Sequence, residues 1–226
     1  MENDNRPSIP FIMYLIPYSF LVAISLVLDE LYYKFQTSAF SNDNTLLFVN
    51  NKIAGIIIFF SPAIIISCII LRIKNNITIK IMRIKFFSFI AILTFIISIF
   101  ILVCQFFEYS DITKEEIHVR NGLFFEDKNY MWSDVTYVEV SYKNGNKNNI
   151  DIIYTIYLND GTKINVYNSN NFFSKIINLD NFMKDKKIKI NRSTIQPSDY
   201  KRIENTYKGE GREVSDRLQV VLKILD

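Results

Sequence analysis

Hydrophobic and polar positions follow two different rules along this chain. Up to residue 107 the apolar residues come in long uncharged runs. Three of them, residues 9–28, 53–71 and 86–107, are 20, 19 and 22 residues long and contain no Asp, Glu, Lys, Arg or His. A helix rises about 1.5 Å per residue, so each run matches the ~30 Å hydrocarbon core of a bilayer. Backbone polar groups in lipid must pair within their own segment, which makes such runs helical. The pattern therefore predicts three transmembrane helices within a domain of residues 1–107. Pro17 and Pro62 lie inside two of the runs, where neighbouring helices tolerate a kink. The first run is long for a signal peptide and no small-residue cleavage site follows it, so it is expected to remain in the mature protein.

From residue 108 the period shortens. Residues 116–120 alternate, Asn121-Gly122 supplies a turn, and 123–125 resume the strand, which reads as a hairpin. Residues 135–142 and 150–158 are rich in β-branched and aromatic residues, and Asp160-Gly161 turns the second into 162–167. The period then changes again. Phe172, Ile176, Leu179 and Met183 fall on one face of a helix. A short strand is expected over 187–191, and Ser198 reads as the cap of a helix from Asp199. Val214, Leu218, Val221, Leu222 and Leu225 form the stripe of a last helix. Strands first and helices after make residues 108–226 an α+β soluble domain.

Charge sharpens this division. The overall hydrophobic content of 49% averages two unlike halves. Residues 1–107 hold 8 Lys/Arg and 5 Asp/Glu, whereas residues 108–226 hold 18 of each, so the net charge of +3 belongs to the first half. A neutral soluble half argues against nucleic acid as a partner. The segment between the second and third runs carries Arg72, Lys74, Lys80, Arg83 and Lys85 with no acidic residue. Such a bias places that loop in the cytoplasm. A cytoplasmic amino terminus and an extracytoplasmic domain 108–226 follow for a multi-pass protein of the cell membrane. The same five residues are candidate contacts for anionic lipid. A second basic group, Lys184, Lys186, Lys187, Lys189 and Arg192, follows the Phe172 stripe. Positive charge suits a helix carboxy-terminus, and the group is also a candidate contact for lipid headgroups or a protein partner.

Catalytic and metal chemistry finds little footing. His118 is the only histidine, and no cysteine follows Cys104, so a zinc ligand set is not in view. Cys68 and Cys104 should lie in opposite leaflets and stay unpaired. No Gly-x-Ser-x-Gly elbow, Walker loop or dinucleotide fingerprint is present. The adjacent carboxylates Glu115-Glu116 and Glu126-Asp127 read as solvated. Trp132 is expected in the core or at its rim, and Asp134 is expected to pin the turn before the next strand. No cofactor and no enzymatic activity are expected.

Three short motifs carry a resemblance. They are Glu116-Ile-His-Val-Arg with Gly122, then Tyr130-Met-Trp132-Ser-Asp134-Val135, then Leu158-Asn-Asp160-Gly161-Thr-Lys-Ile. Together over residues 112–192 they resemble bacterial pleckstrin-homology-like (PH-like) membrane proteins, in which a few spans precede a small β-rich domain. The resemblance implies a PH-like β-sheet or barrel with carboxy-terminal helices. It also implies a cytoplasmic soluble domain, whereas the loop charges imply an extracytoplasmic one. The expected function is that of a non-enzymatic membrane protein whose soluble module binds a protein partner or lipid headgroups in an accessory, regulatory or immunity role. Self-association as a homo-oligomer is compatible with it. The alternative is a subunit of an oligomeric pore, with Thr94, Ser98 and Gln105 on one face of the third span. Such polar stripes also serve contacts between helices.

Overall fold

The computed structural model describes residues 11–75, 81–124, 127–145, 149–208 and 212–225, with side chains left aside at 11–18, 71–75, 81–85 and 212–215. The chain divides into two compact units. The first comprises residues 1–36 and 52–106, the second residues 37–51 and 107–226. Residues 37–51 were expected in a transmembrane domain of residues 1–107, and they belong instead with the carboxy-terminal half.

The first unit is helical. Helix α1 spans Phe11–Phe40, α2 Ile53–Asn75 and α3 Ile81–Phe106. Within the described residues, Ile53–Ile70 and Phe86–Phe106 are long and apolar enough to cross a membrane. Their large side chains face outward, as with Phe60 and Phe89 at 65% and 63% exposure. The first expected span, 9–28, does not stand as a separate element. Its first residues lie outside the described set, and α1 runs past Leu28 through Asp29, Glu30 and Lys34. An apolar run that ends is not a helix that ends, because Leu31, Tyr32 and Gln36 continue the helical pattern. Residues Leu21, Ser25, Tyr33 and Gln36 form the buried stripe of α1. Polar bonds tie that stripe down. Ser25 Oγ donates to the Ile58 carbonyl at 3.2 Å, Tyr32 Oη to the Leu102 carbonyl at 2.8 Å, and Gln36 Nε2 to the Phe106 carbonyl at 2.9 Å. The Gly55 N–H donates to Tyr33 Oη at 3.2 Å. A methyl group on Gly55 would lie 2.7 Å from Asp29 Oδ1, which the Asp29 side chain could relieve by rotating away.

The second unit holds two four-stranded sheets. Strands β1 (Thr45–Asn50), β2 (Glu108–Thr113), β3 (Glu116–Asn121) and β4 (Asp127–Met131) form an antiparallel sheet in that order. Strands β5 (Val135–Asn144), β6 (Ile150–Leu158), β7 (Lys163–Asn165) and β8 (Ile190–Arg192) form the other, ordered β7-β6-β5-β8, with β8 parallel to β5. Helices α4 (Phe172–Asp185), α5 (Pro197–Tyr207) and α6 (Arg212–Leu225) complete it. Alternation fills one shared core. Leu47, Ile112 and Ile117 come from the first sheet, and Val138, Tyr154 and Ile156 from the second. The expected stripe of α4 is fully inward, with Phe172, Ile176, Leu179 and Met183 at most 2% exposed. Trp132 is buried, and Asp134 pins the turn by accepting from the Met131 N–H at 2.8 Å.

Several expectations change in detail. The β3–β4 turn is longer than two residues, since Arg120 pairs with Asp127. Gly122, at φ 106°, donates its N–H to the Phe107 carbonyl at 3.0 Å, one bond beyond the Glu108–Asn121 pair of the β2–β3 ladder. The strand expected over 162–167 narrows to β7 and passes into a 3-10 turn at Val166–Asn168. Helix α5 begins at Pro197 rather than Asp199, with Gln196 at its cap position. The missing N–H of proline costs nothing at a first helical position. In α6 it is Ile224 that is buried with Val221 and Leu225, while Leu222 is half-buried.

The far side of the first sheet is also covered. Phe48, Tyr109 and Asp111 are buried there, and Phe40 at the end of α1 stacks on Tyr109 with ring centroids 4.6 Å apart. Burial pushes the Asp111 carboxyl above its ordinary range, against the opposing pull of Thr45, His118 and Lys175. A carboxyl raised in the folded state binds its proton more tightly there than in the unfolded chain. Stability therefore falls as pH rises from the unfolded value of about 3.9 through the raised folded one. Asp111→Asn should be more stable than wild type near neutral pH, with the gap closing on acidification. Urea unfolding followed by Trp132 fluorescence across that range reads this directly. A gap that widens in acid would show that Lys175 and His118 hold Asp111 charged.

Candidate functional site

The alternating strands end in asparagines, and the register brings those ends together. Asn50 pairs with Tyr109, Tyr109 with Arg120, and Glu108 with Asn121. Asn50 and Asn51 are the last residues of the second unit before α2, and Glu108 follows soon after α3. The root of the apolar hairpin is therefore also the rim of the first sheet. Across from it stand β7 and its 3-10 turn, which contribute Lys163, Asn165 and Asn168. Between them lies a cavity of about 230 Å³, floored by the buried side chains of Val49, Val119 and Ile164.

Its wall is polar but nearly balanced in charge. Glu108 accepts a short hydrogen bond from Asn51 Nδ2. The Arg120 guanidinium lies 4.6 Å over the Phe107 ring, and its Nε is 3.2 Å from Asp127 Oδ1. Lys163 Nζ lies 5.2 Å over the Tyr157 ring. Burial pushes the Tyr109 phenol up, so it stays a neutral hydrogen-bonding group. The carboxamides can both donate and accept. The wall thus offers paired donors and acceptors, with two cations set against one carboxylate. Among the described residues, no group of three His, Cys, Asp or Glu is placed to hold a metal ion.

The basic residues expected as contacts fall elsewhere. Arg72 and Lys74 belong to the end of α2, and Arg83 and Lys85 to the start of α3, with side chains outside the described set; Lys80 lies outside the described residues altogether. The second group divides. Lys186, Lys187 and Lys189 are exposed at the end of α4. Lys187 takes φ 59° where a helix usually ends on glycine, and the Ile188 N–H bonds back to the Met183 carbonyl at 3.0 Å. Arg192 does not face outward. Its Nη2 donates to both oxygens of the buried Asp180, at 2.7 and 2.9 Å, and its Nη1 donates to the Ile224 carbonyl. Tyr154 Oη donates to the same carboxylate at 2.8 Å, and Lys184 reaches it at 3.1 Å. Arg192 and Lys184 are thus committed to a buried carboxylate that joins β6, β8, α4 and α6. Of the polar residues in the third span, Ser98 is buried, while Ser88, Thr94 and Gln105 are half-buried. The Ser98 Oγ donates to the Thr94 carbonyl at 2.7 Å, and the backbone carbonyl of Gln105 accepts from Gln36 Nε2 at 3.2 Å.

The cavity residues escaped the sequence reading. Asn50, Asn121 and Asn165 look like ordinary turn residues until β1 is known to pair with β2 across the hairpin. Compared with protein-family models, with curated proteins and with solved structures, the chain matches none of them.

The division of the basic group has a measurable consequence. Arg192→Ala leaves Asp180 buried with only Tyr154 and the half-exposed Lys184, and should cost about 3 kcal/mol of unfolding free energy. Lys189→Ala should cost less than about 0.5 kcal/mol. Equal losses in urea unfolding of the two variants would contradict the strut role of Arg192.

Proposed function

We propose that the chain is a non-enzymatic multi-pass membrane protein that presents a PH-like sheet module at the bilayer surface, where its cavity takes a lipid headgroup. One observation carries this reading. The strands that bracket the α2–α3 hairpin also supply the rim of the cavity, through Asn50, Asn51 and Glu108. The carboxamides and two cations of the cavity suit the charged and polar groups of a lipid headgroup, and part of the rim lies next in the chain to the helices read as spans. The apolar part of α1 acts as the third span in this reading.

The pairing of β1 with β2 also supports a topology. Two crossings between them return the chain to the side it left, so the α1–α2 segment and the second unit share a side. The five basic residues between α2 and α3 favour the cytoplasm for the opposite end. The module is then extracytoplasmic, against the usual orientation that the PH-like resemblance implies.

Native mass spectrometry of the full chain, extracted in mild detergent, would detect retained lipid. Wild type should keep one class of headgroup. Asn165→Leu with Asn168→Leu removes two hydrogen-bonding groups of about 1 kcal/mol each, so retention should fall about tenfold or more. Wild type without lipid, or a variant that keeps it equally, would overturn the headgroup reading.

A further inference from the structure

The two cations in the cavity wall are already answered within the protein. The Arg120 guanidinium is set over the Phe107 ring and beside Asp127. The Lys163 ammonium lies over the Tyr157 ring. Glu108 adds a carboxylate to the same wall. A phosphate group only accepts hydrogen bonds, so it calls for a wall of donors, and a neighbouring carboxylate repels it. The asparagines make a different offer. Asn121 at the end of β3 and Asn165 at the end of β7 are exposed on the rim, and the Asn165 side chain makes no capping bond to the 3-10 turn that follows it. Asn168, in that turn, lines the same cavity. A carboxamide donates through its NH2 and accepts through its carbonyl, which matches a hydroxyl group that does both. Tyr109 adds only its hydroxyl, since Phe40 and Phe48 stack on its ring. The apolar floor of Val49, Val119 and Ile164 suits the C–H face of a sugar ring. At about 230 Å³ the cavity is smaller than most drug-sized pockets, which suits one ring rather than an oligosaccharide.

We propose that the cavity recognises hydroxyl groups, and that its ligand is an uncharged glycosyl or polyol group, such as the sugar of a glycolipid, rather than a phosphate. Asn121, Asn165 and Asn168 exchange hydrogen bonds with the ring hydroxyls, and Glu108 accepts from one of them. Arg120 and Lys163 stay with Asp127 and Tyr157 and hold the wall in place. This inference rests on the headgroup reading of the same cavity and names the chemistry that the headgroup carries.

Lipid competition separates the two claims. The full-length chain, purified in a non-glycosidic detergent, is placed in phosphatidylcholine nanodiscs doped equally with monoglucosyl diacylglycerol and phosphatidic acid of the same acyl chains. Native mass spectrometry then reads which lipid is retained. Wild type should keep the glucosyl lipid about tenfold over phosphatidic acid, the worth of one or two hydrogen bonds. Asn165→Leu with Asn168→Leu should abolish that preference, and a preference that survives would lie outside the cavity and overturn the inference. Preferential retention of phosphatidic acid, or equal retention of both above phosphatidylcholine, would overturn hydroxyl recognition and leave the headgroup reading standing. Saturation-transfer NMR with methyl glucoside, on undoped nanodiscs, covers a soluble source. A methyl glucoside signal that the double variant loses, with no glucosyl lipid retained, supports hydroxyl recognition and removes lipid as its source. If neither lipid nor methyl glucoside is held, both readings fail. Circular dichroism matching wild type shows that the double variant folds, and the wild-type comparison does not depend on it.

Discussion

The antiparallel pairing of β1 with β2 is the constraint on which the rest of this molecule depends. Asn50 and Tyr109 are ladder partners although two long apolar helices separate them in the chain. A lone strand of six residues has no stability of its own, so β1 exists only because β2 receives it. That closure forces α2 and α3 to leave and return as one excursion. It also puts Leu47 and Val49 into the shared core and leaves Phe48 on the other face, against Tyr109. The same ladder assembles the asparagine rim of the cavity. The sheet and the candidate site thus share a single set of backbone hydrogen bonds, and the α2–α3 pair joins the chain on either side of it.

A second constraint holds the other end of the unit. Asp180 is 3% exposed and would be costly as an isolated charge. It is answered by Arg192 in a two-pronged contact, by Tyr154 from strand β6 and by Lys184 one turn along its own helix. Burial and the nearby carboxylate push the Tyr154 phenol far above its ordinary range, which keeps it a donor. The arrangement links the short parallel strand β8 to α4 and α6. It explains why an arginine at the end of a basic run is a structural group, while the lysines before it remain at the surface.

Much of the fold was legible because local period and tertiary burial agree. The stripe Phe172, Ile176, Leu179 and Met183 needed no partner to be recognised, and strands β5 and β6 announced themselves by alternation. The Asp160-Gly161 turn is reinforced by Tyr130 and Thr162, in line with its sequence signature. What escaped is what depends on distant partners. Nothing near residues 45–50 says that a ladder waits beyond residue 107. The continuation of α1 past Leu28 is held by Tyr32 and Gln36, which bond to the distant Leu102 and Phe106 carbonyls. In the β3–β4 turn Arg120 pairs with Asp127 rather than with the residue just past Gly122, a register the local Asn-Gly signal does not announce. The start of α5 was readable from Pro197 and was masked by the stronger capping signal of Ser198. The candidate cavity was the least legible feature, since its residues come from four strand ends that meet only after both sheets have formed.

Side-of-membrane labelling tests the central claim most directly. In a full-length chain with Cys68 and Cys104 replaced by alanine, single cysteines are placed at Asp43, Lys143 and Asn76. An impermeant thiol reagent is then applied to intact cells and to lysates. The β1–β2 ladder requires Asp43 and Lys143 positions to behave alike, and the hairpin requires the Asn76 position to behave oppositely. Labelling of the first two in intact cells, with the third protected until lysis, is the predicted result. A chain in which the Asp43 and Lys143 positions lie on different sides could not form that ladder and would contradict the account.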